Sequence, residues 1–397
     1  MKVLVLSHMY PSSANEVAGI FVHKQVKELM KKGVEIRVVS PKPMTPFPIN
    51  YLNPKWRNYS KIPRGCVWEE VETYYPRYVA IPRAMFFATS GYRMYYGIRR
   101  TVDKLYQEFA FDLIHAHVAL PDGYAGALLA RDFGKPLVIT IHGQDFQKTV
   151  HRDDKCKAAI RSALQNAFRV MVVSKKLRRL AVKHFNIHNK LVVIPNGVAP
   201  EDIGRVGGIP ERSNNENIIL SVSNLVSSKG IDLNIDAIKQ LKDKYPQLQY
   251  WVVGSGPEEN KLRGLTARYG LENRVKFLGR QPHGDALKYM AACDLFSLPS
   301  WSEGFGVAYL EAMALGKPVI GCQGEGPADF VKHGKTGLLV KPHDLDSLVE
   351  ALDFLLSHPK KARTMGERAR KLVLVHYTWE KNAEKTMQVY HEVLNEG

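Results

Sequence analysis

Pro299-Ser300-Trp301-Ser302-Glu303-Gly304-Phe305-Gly306-Val307-Ala308-Tyr309-Leu310-Glu311-Ala312-Met313-Ala314-Leu315-Gly316-Lys317-Pro318-Val319-Ile320 is the stretch on which the fold turns. The apolar run Leu295–Leu298 before it predicts a buried strand. The glycines predict a tight loop, and the helix formers from Val307 to Leu315 predict a helix that Gly316 stops. Glycines beside a helix start let backbone approach a ligand closely, and the unpaired N–H groups with the helix dipole favour an anion. Glu311, about one turn into the helix, is placed to accept hydrogen bonds from a diol such as a ribose. Glu303 lies in the loop, where a diphosphate-linked group would sit. By spacing alone a plainer reading stays open. Residues 197–397 hold 25 acidic side chains, so a glutamate in a turn and another on an exposed helix face are ordinary.

The strand-then-helix rhythm extends in both directions. Apolar runs recur at Val3–Leu6, Ile36–Val39, Leu113–His115, Leu137–Ile141, Val170–Val173 and Leu191–Ile194. A second set follows at Ile218–Val222, Tyr250–Val253, Val275–Leu278, Leu295–Leu298, Val319–Ile320 and Leu338–Val340. Between most of them lie helix-like stretches, such as residues 21–32 with Phe21, Val22, Val26 and Leu29 on one face. Short Val/Ile/Leu-rich strands alternating with helices predict parallel sheets covered on both faces. Two sets predict two doubly wound, Rossmann-like α/β domains. Gly204, Gly207, Gly208, Pro210 and Ser213-Asn214-Asn215 mark a linker. The expected division is residues 1–198, a linker over 199–217, a second domain over 218–375, and a C-terminal helix over 376–397 packing back toward the first domain. Ligands of such domains collect beyond the C-terminal strand ends, so a cleft between two facing domains is the expected active site.

At 397 residues, with 45% hydrophobic and 24% charged residues, the chain suits two globular domains. Cys66, Cys156, Cys293 and Cys322 form no CxxC or CxxH pair, which argues against a disulfide framework or a zinc site and is compatible with a reducing compartment. Met1-Lys2 runs straight into Val3–Leu6, which reads as a strand and not as a secretory leader. No run approaches the roughly 20 apolar residues that span a bilayer. The net charge is +17, and it is one-sided: residues 1–196 hold 31 Lys and Arg against 14 Asp and Glu, while residues 197–397 hold 25 of each. The first half is therefore expected to face something anionic.

The frame P-S-x-x-E-G-F-G-x-x-x-L-E-A-M-A-x-G-x-P-V-I resembles the E-x7-E signature of the retaining family 4 glycosyltransferases. Other features of that family occur in order: Gly19, His142-Gly143, Pro195-Asn196-Gly197-Val198, Lys229-Gly230, Gly254-Ser255-Gly256-Pro257 and Gly279. The resemblance covers nearly the whole chain and implies a GT-B fold. It implies that Lys229 neutralises the leaving diphosphate and that Glu311 holds the ribose. Glu303 and the Gly304-Phe305-Gly306 backbone would meet the donor sugar and phosphates. Ser223, Asn224, Gly254 and Gly256 would line the nucleotide. His142 would reach the sugar from the first domain, Gly19 would lie near the β-phosphate, and Arg280 would flank the base. Read singly, Lys229 is also a solvated loop lysine, His142 a satisfied strand-end histidine, and Arg280 a surface charge. The implied reaction moves a sugar from a nucleotide diphosphate sugar, UDP-sugar favoured, to an acceptor hydroxyl with retention. Neither metal nor cofactor is expected. One departure stands out: the family usually carries an arginine five residues before the lysine, and here Asn224 occupies that place. Asparagine donates a hydrogen bond but no charge, which puts the second phosphate anchor in doubt.

In similar enzymes the first domain binds the acceptor, here expected to be a glycan or lipid-linked glycan. Arg83, Arg93, Arg99, Arg100 and Lys104 interleave with Met85, Phe86, Phe87, Tyr92, Tyr95 and Tyr96, which suggests a peripheral membrane element or, equally, a packed helix with an ordinary wet face. The expected location is cytoplasmic, with the basic half at the inner face of the plasma membrane. The Tyr10-Pro11 to Gly19 opening and the Asp112-Leu113-Ile114-His115-Ala116-His117 stretch also resemble those of enzymes of bacterial cell-surface polysaccharide synthesis. Two alternatives remain: a nucleic-acid-binding protein, for which no reading element is evident, and an inactive nucleotide-sugar-binding module, which Asn224 keeps open.

Overall fold

In the computed structural model all residues are described except 46, 47, 49–53, 209, 211, 213–215 and 397; the Ser213-Asn214-Asn215 part of the expected linker lies outside the described residues. The chain forms two compact units. Residues 1–195 with 379–397 make the first, and residues 196–378 make the second.

The first unit carries β1 (Lys2–Leu6), β2 (Glu35–Val39), β3 (Lys42–Pro43), β4 (Gly65–Trp68), β5 (Val71–Tyr74), β6 (Arg77–Tyr78), β7 (Leu113–His117), β8 (Leu137–Ile141), β9 (Arg169–Val172) and β10 (Leu191–Val193). Eight of these form one sheet in the order β10-β9-β8-β7-β1-β2-β5-β4, parallel except where β4 runs against β5. That edge hairpin, and the small β3–β6 pair, gave no clear apolar run. Val67 on β4 is exposed, so the hydrophobic signal of a covered strand is missing there. By contrast every residue of β7 and β8 is buried, which is why those strands read as continuous apolar segments.

Helix Trp379–Glu396 belongs to this unit. Ala383, Val389, Tyr390 and Val393 join Val22, Val26 and Leu29 of helix Ile20–Lys31 and Val3 and Val5 of β1 in one core. Gln25 Nε2 donates to Asn382 Oδ1 at 2.7 Å and Thr386 Oγ1 at 3.1 Å within it, so the buried amide is satisfied.

The second unit is a six-stranded parallel sheet of β11 (Asn217–Val222), β12 (Leu248–Val253), β13 (Val275–Gly279), β14 (Leu295–Ser297), β15 (Val319–Cys322) and β16 (Leu338–Val340). Its order is β13-β12-β11-β14-β15-β16. In each unit the winding reverses at one pair of neighbours, β1 with β7 and β11 with β14. Connections leave such a pair toward opposite faces and open a crevice at the C-terminal strand ends.

Candidate functional site

In the second unit the loops after β11 and β14 meet over that crevice. Trp301 N and Ser300 Oγ both donate to Ser228 O, at 3.0 and 3.1 Å. Lys229 Nζ then lies 2.6 Å from Glu303 Oε2, with side chains only 18% and 15% exposed. A partly desolvated pair of this kind attracts more strongly than one in open water, and an incoming anion would compete with Glu303 for the ammonium. Glu303 is itself held: its N–H donates to Glu325 Oε2 at 2.6 Å, and its carbonyl accepts from Gly326 N at 3.2 Å.

Helix Val307–Ala314 begins beside the pair. Gly306 is its N-cap, no side chain caps it, and its first turn carries no acidic residue. Its leading N–H groups therefore lack the usual side-chain acceptor. Tyr309 OH donates to Leu298 O and pins the helix to the strand end. Glu311 faces His283, with Nε2 and Oε1 2.7 Å apart. His283 was missed in the sequence because it lies 28 positions away with no motif around it. Phe305 is buried with its ring 5.2 Å from Phe330, so only its backbone can serve a ligand.

The remaining residues expected at this site divide. Gly254 follows β12 with φ +136°, and a Cβ there would lie 1.8 Å from Ser223 O; glycine is what lets these two loops touch. Gly256 packs likewise against Leu225 O. The Ser223 hydroxyl is buried without a hydrogen-bond partner, whereas Asn224 is exposed. Arg280 is exposed beyond β13, two strands from β11.

The first unit holds Gly19 and His142. Gly19, at φ +64°, starts helix Ile20–Lys31, and a Cβ would stand 2.0 Å from Met9 O, so only glycine closes this loop. His142 follows β8, its ring centroid 4.4 Å from that of Phe21 and its Nε2 3.0 Å from His117 Nδ1. Its Nδ1 is buried without a partner. His115, its ring centroid 4.3 Å from that of His117 at a tilt of 36°, bonds Tyr390 OH at 2.6 Å and Thr140 Oγ1 at 2.7 Å. Burial holds His115 and His142 down to about 3, and His117 well below its ordinary value. The three rings are neutral at ordinary pH.

A second charged group in this unit escaped the sequence reading. His8 follows β1; its N–H donates to Asp122 Oδ1 at 3.1 Å and its Nδ1 to Oδ2 at 2.6 Å. Lys42, almost fully buried, donates from Nζ to His8 O and Tyr10 O at 3.2 Å each. Burial lowers it to about 8. Asp145 accepts from Leu120 N at 3.2 Å, and burial pushes it up to about 6. The partners stand 114 positions apart, and no local pattern could have joined them.

Farther along, helix Ser90–Phe109 splits the two readings of the basic, aromatic stretch. Met94, Tyr95 and Ile98 are core, while Phe86, Tyr96, Met85 and Tyr92 are exposed, Phe86 to 70%. The four cysteines are free. Among the described residues no group of three His, Cys, Asp or Glu could hold a metal ion, and no helix is long and apolar enough to cross a membrane.

Comparison with known proteins agrees with this fold. The family description "Glycosyltransferase Family 4" matches residues 18–202, and "Glycosyl transferases group 1" matches residues 208–372. A Bacillus subtilis glycosyltransferase assigned to teichuronic acid biosynthesis, TuaC, is 31% identical over 362 residues, 89% of this chain and 88% of its own. The sucrose-phosphate synthase of Thermosynechococcus elongatus superposes over the full length of both chains with a TM-score of 0.81 at 24% identity. The Anabaena protein HepE, solved with UDP and glucose, covers 99% of this chain and all of its own, with a TM-score of 0.72 at 21% identity. The fold is GT-B. With both matches lying in sequence over the two sheets, and the glycine-rich turn carrying its two glutamates at the strand reversal of the second, the chain belongs to the family 4 glycosyltransferases.

Proposed function

We propose that this glycosyltransferase moves a sugar, with retention, from a UDP-sugar to a hydroxyl of an anionic glycan or lipid-linked glycan, without a metal. The observation that carries the reading is the Lys229–Glu303 pair beside the uncapped helix start at Gly306. As the bond to the anomeric carbon breaks, negative charge builds on the departing diphosphate. Lys229 and the N–H groups of Gly304 to Val307 are preorganised donors for that charge, which is where electrostatic catalysis gains most. Glu303, released from Lys229, is left to the donor sugar, and Glu311 to the ribose. Ser223, Asn224, Gly254 and Gly256 line the nucleotide, Arg280 flanks the base, and His142 and Gly19 serve the sugar and β-phosphate from the first unit. No side chain acts as nucleophile; the acceptor hydroxyl attacks on the face the diphosphate leaves, and its proton passes to the departing phosphate oxygen.

UDP is favoured because HepE binds it on the same fold. The anionic acceptor is supported by the +17 charge, all of it in residues 1–196, and by two relatives whose names carry anionic products, teichuronic acid and sucrose phosphate. The exposed Met85, Phe86, Tyr92 and Tyr96, with Arg83, Arg99, Arg100 and Lys104 exposed beside them, support a peripheral station on an anionic cytoplasmic membrane face during polysaccharide synthesis. The test is a thermal-shift comparison of UDP, GDP and ADP, followed by UDP release from a panel of UDP-sugars. A shift with UDP and turnover of one UDP-sugar are expected; a shift with GDP alone would move the donor to a GDP-sugar, and no shift with any nucleotide would end the enzymatic reading.

A further inference from the structure

His8 and Asp122 sit at the strand reversal of the first unit, in the same topological place as Lys229 and Glu303 in the second. His8 lies two residues past β1 and Asp122 five past β7, so both stand at the C-terminal ends of the two strands that flank the crevice. Asp122 is fully buried, while the His8 side chain keeps 32% of its surface open. Both carboxylate oxygens are taken up by His8, one by its backbone N–H and one by Nδ1. That bond fixes the tautomer: the proton is on Nδ1, and Nε2 carries a lone pair. Nε2 makes no hydrogen bond among the described residues.

The surroundings hold this one ring in place. Lys42 ties the carbonyls of His8 and Tyr10 and brings a cation behind the carboxylate. Val118 takes φ +74° at the start of the turn that carries Asp122, a conformation β-branched residues rarely adopt. Asp145, 1% exposed, leaves its Oδ2 without a partner in the same cluster. Buried charges are expensive, and here they all converge on orienting an imidazole whose outer nitrogen is unused. An aspartate-oriented histidine with an unused Nε2 is the arrangement that takes a hydroxyl hydrogen.

We propose that His8, keyed by Asp122, is a binding residue for the acceptor, its neutral Nε2 accepting the hydrogen bond of one hydroxyl of a sugar or other polyol. This rests on the transfer reading above. Protonated His8 would present an N–H in place of the lone pair and lose that bond. The groups facing His8 are Asp122, Lys42 and Asp145. Burial and Lys42 lower its pKa, while the charge and hydrogen bond of Asp122, with the charge of Asp145, outweigh them and raise it above the ordinary value. Burial also pushes the Asp122 carboxyl up, with His8 and Lys42 opposing. Acceptor affinity is therefore present in alkali and lost as pH falls through the raised His8 pKa.

The experiment measures acceptor KM across pH, with the UDP-sugar found above and the methyl glycosides of glucuronic, galacturonic and mannuronic acid as acceptors. In the wild type, acceptor KM rises as pH falls. His8→Ala raises it about tenfold at about pH 8, the share of one hydrogen bond, and abolishes the pH limb. His8→Gln, whose amide oxygen accepts without titrating, keeps KM within a few-fold of wild type and also lacks the limb. A purely structural role would give no such rescue. A thermal melt and far-UV circular dichroism report folding of the first unit in each variant, and calorimetric UDP binding reports the second. Unchanged KM and an intact pH limb in His8→Ala overturn this proposal alone. Absence of UDP binding or of turnover in the wild type overturns the transfer reading and this one with it.

Discussion

In the first unit the loops after β1 and β7 meet through His8 and Asp122 at 2.6 Å; in the second the loops after β11 and β14 meet through Lys229 and Glu303, also at 2.6 Å. The scaffolds match, and the chemistry differs. The second pair offers an ammonium, a compact point charge suited to phosphate, with both partners slightly open. The first seals its carboxylate completely and shows only an imidazole. The units also differ in what they bury. His115, His117 and the ring nitrogen of His142 are sealed in the first, whereas every histidine of the second is exposed. The same strand reversal thus carries two chemically different pairs, a lysine with a glutamate in one unit and a histidine with an aspartate in the other.

The largest expected effect breaks the second pair. Lys229→Ala lowers kcat on a UDP-sugar about a thousandfold, the scale for removing a preorganised donor to a leaving group, with a much smaller change in donor KM. Near-normal kcat would remove the lysine from the mechanism.

The second effect is acid sensitivity confined to the first unit. His115 and His142 titrate near 3 when folded and near 6.5 when unfolded, so the unfolded chain takes up protons first. Their contribution is complete above about pH 6.5 and is lost at about 1.4 kcal/mol per residue per pH unit below it, about 4 kcal/mol together by pH 5, of which Asp145, raised to about 6 by burial and so favoured in acid, returns about 1.4 kcal/mol. That is a large part of a typical domain's stability. Hydrogen exchange at pH 7 and pH 5 checks it: protection of β7 and β8 falls with pH while that of β11 and β12 holds. Equal loss in both units would contradict the contrast.

Glu311→Ala is next. Removing the carboxylate paired with His283 weakens UDP binding about tenfold and leaves inorganic diphosphate binding unchanged, read by calorimetry. The smallest effect is at the surface of the first unit. Phe86→Ser with Tyr96→Ser lowers binding to vesicles containing phosphatidylserine several-fold at low salt, with less difference as salt rises. Equal binding by the variant would leave that face without a membrane role.

The sequence made the second unit's site far more legible than the first's. Glu303, the glycines and Glu311 fall within one βα segment, where local spacing dictates geometry, and Lys229 follows the next strand over. The fold was readable for the same reason: strands such as β7 and β8 are covered on both faces and run as unbroken apolar segments. The edge strand β4 and its neighbour β5 were not, since Val67 of β4 meets water and β5 alternates buried with half-buried residues. Only tertiary contact joins His8 to Asp122 and His283 to Glu311. His142 was found through its family position, but its partner His117 was not, because it lies on a neighbouring strand 25 residues away. Asn224, which stands where the family usually carries an arginine, is an exposed amide, so under the proposed function the diphosphate charge would fall to Lys229 and the start of helix Val307–Ala314.

The most direct test of the account is a calorimetric titration of UDP against UMP in the wild type and in Lys229→Ala. UDP is the leaving group itself and carries the charge that Lys229 is proposed to meet. The account predicts that the wild type binds UDP at least about tenfold tighter than UMP and that Lys229→Ala erases the difference while still binding UMP. A variant that keeps the preference for UDP would show that the diphosphate does not sit on Lys229, and the central assignment would be wrong.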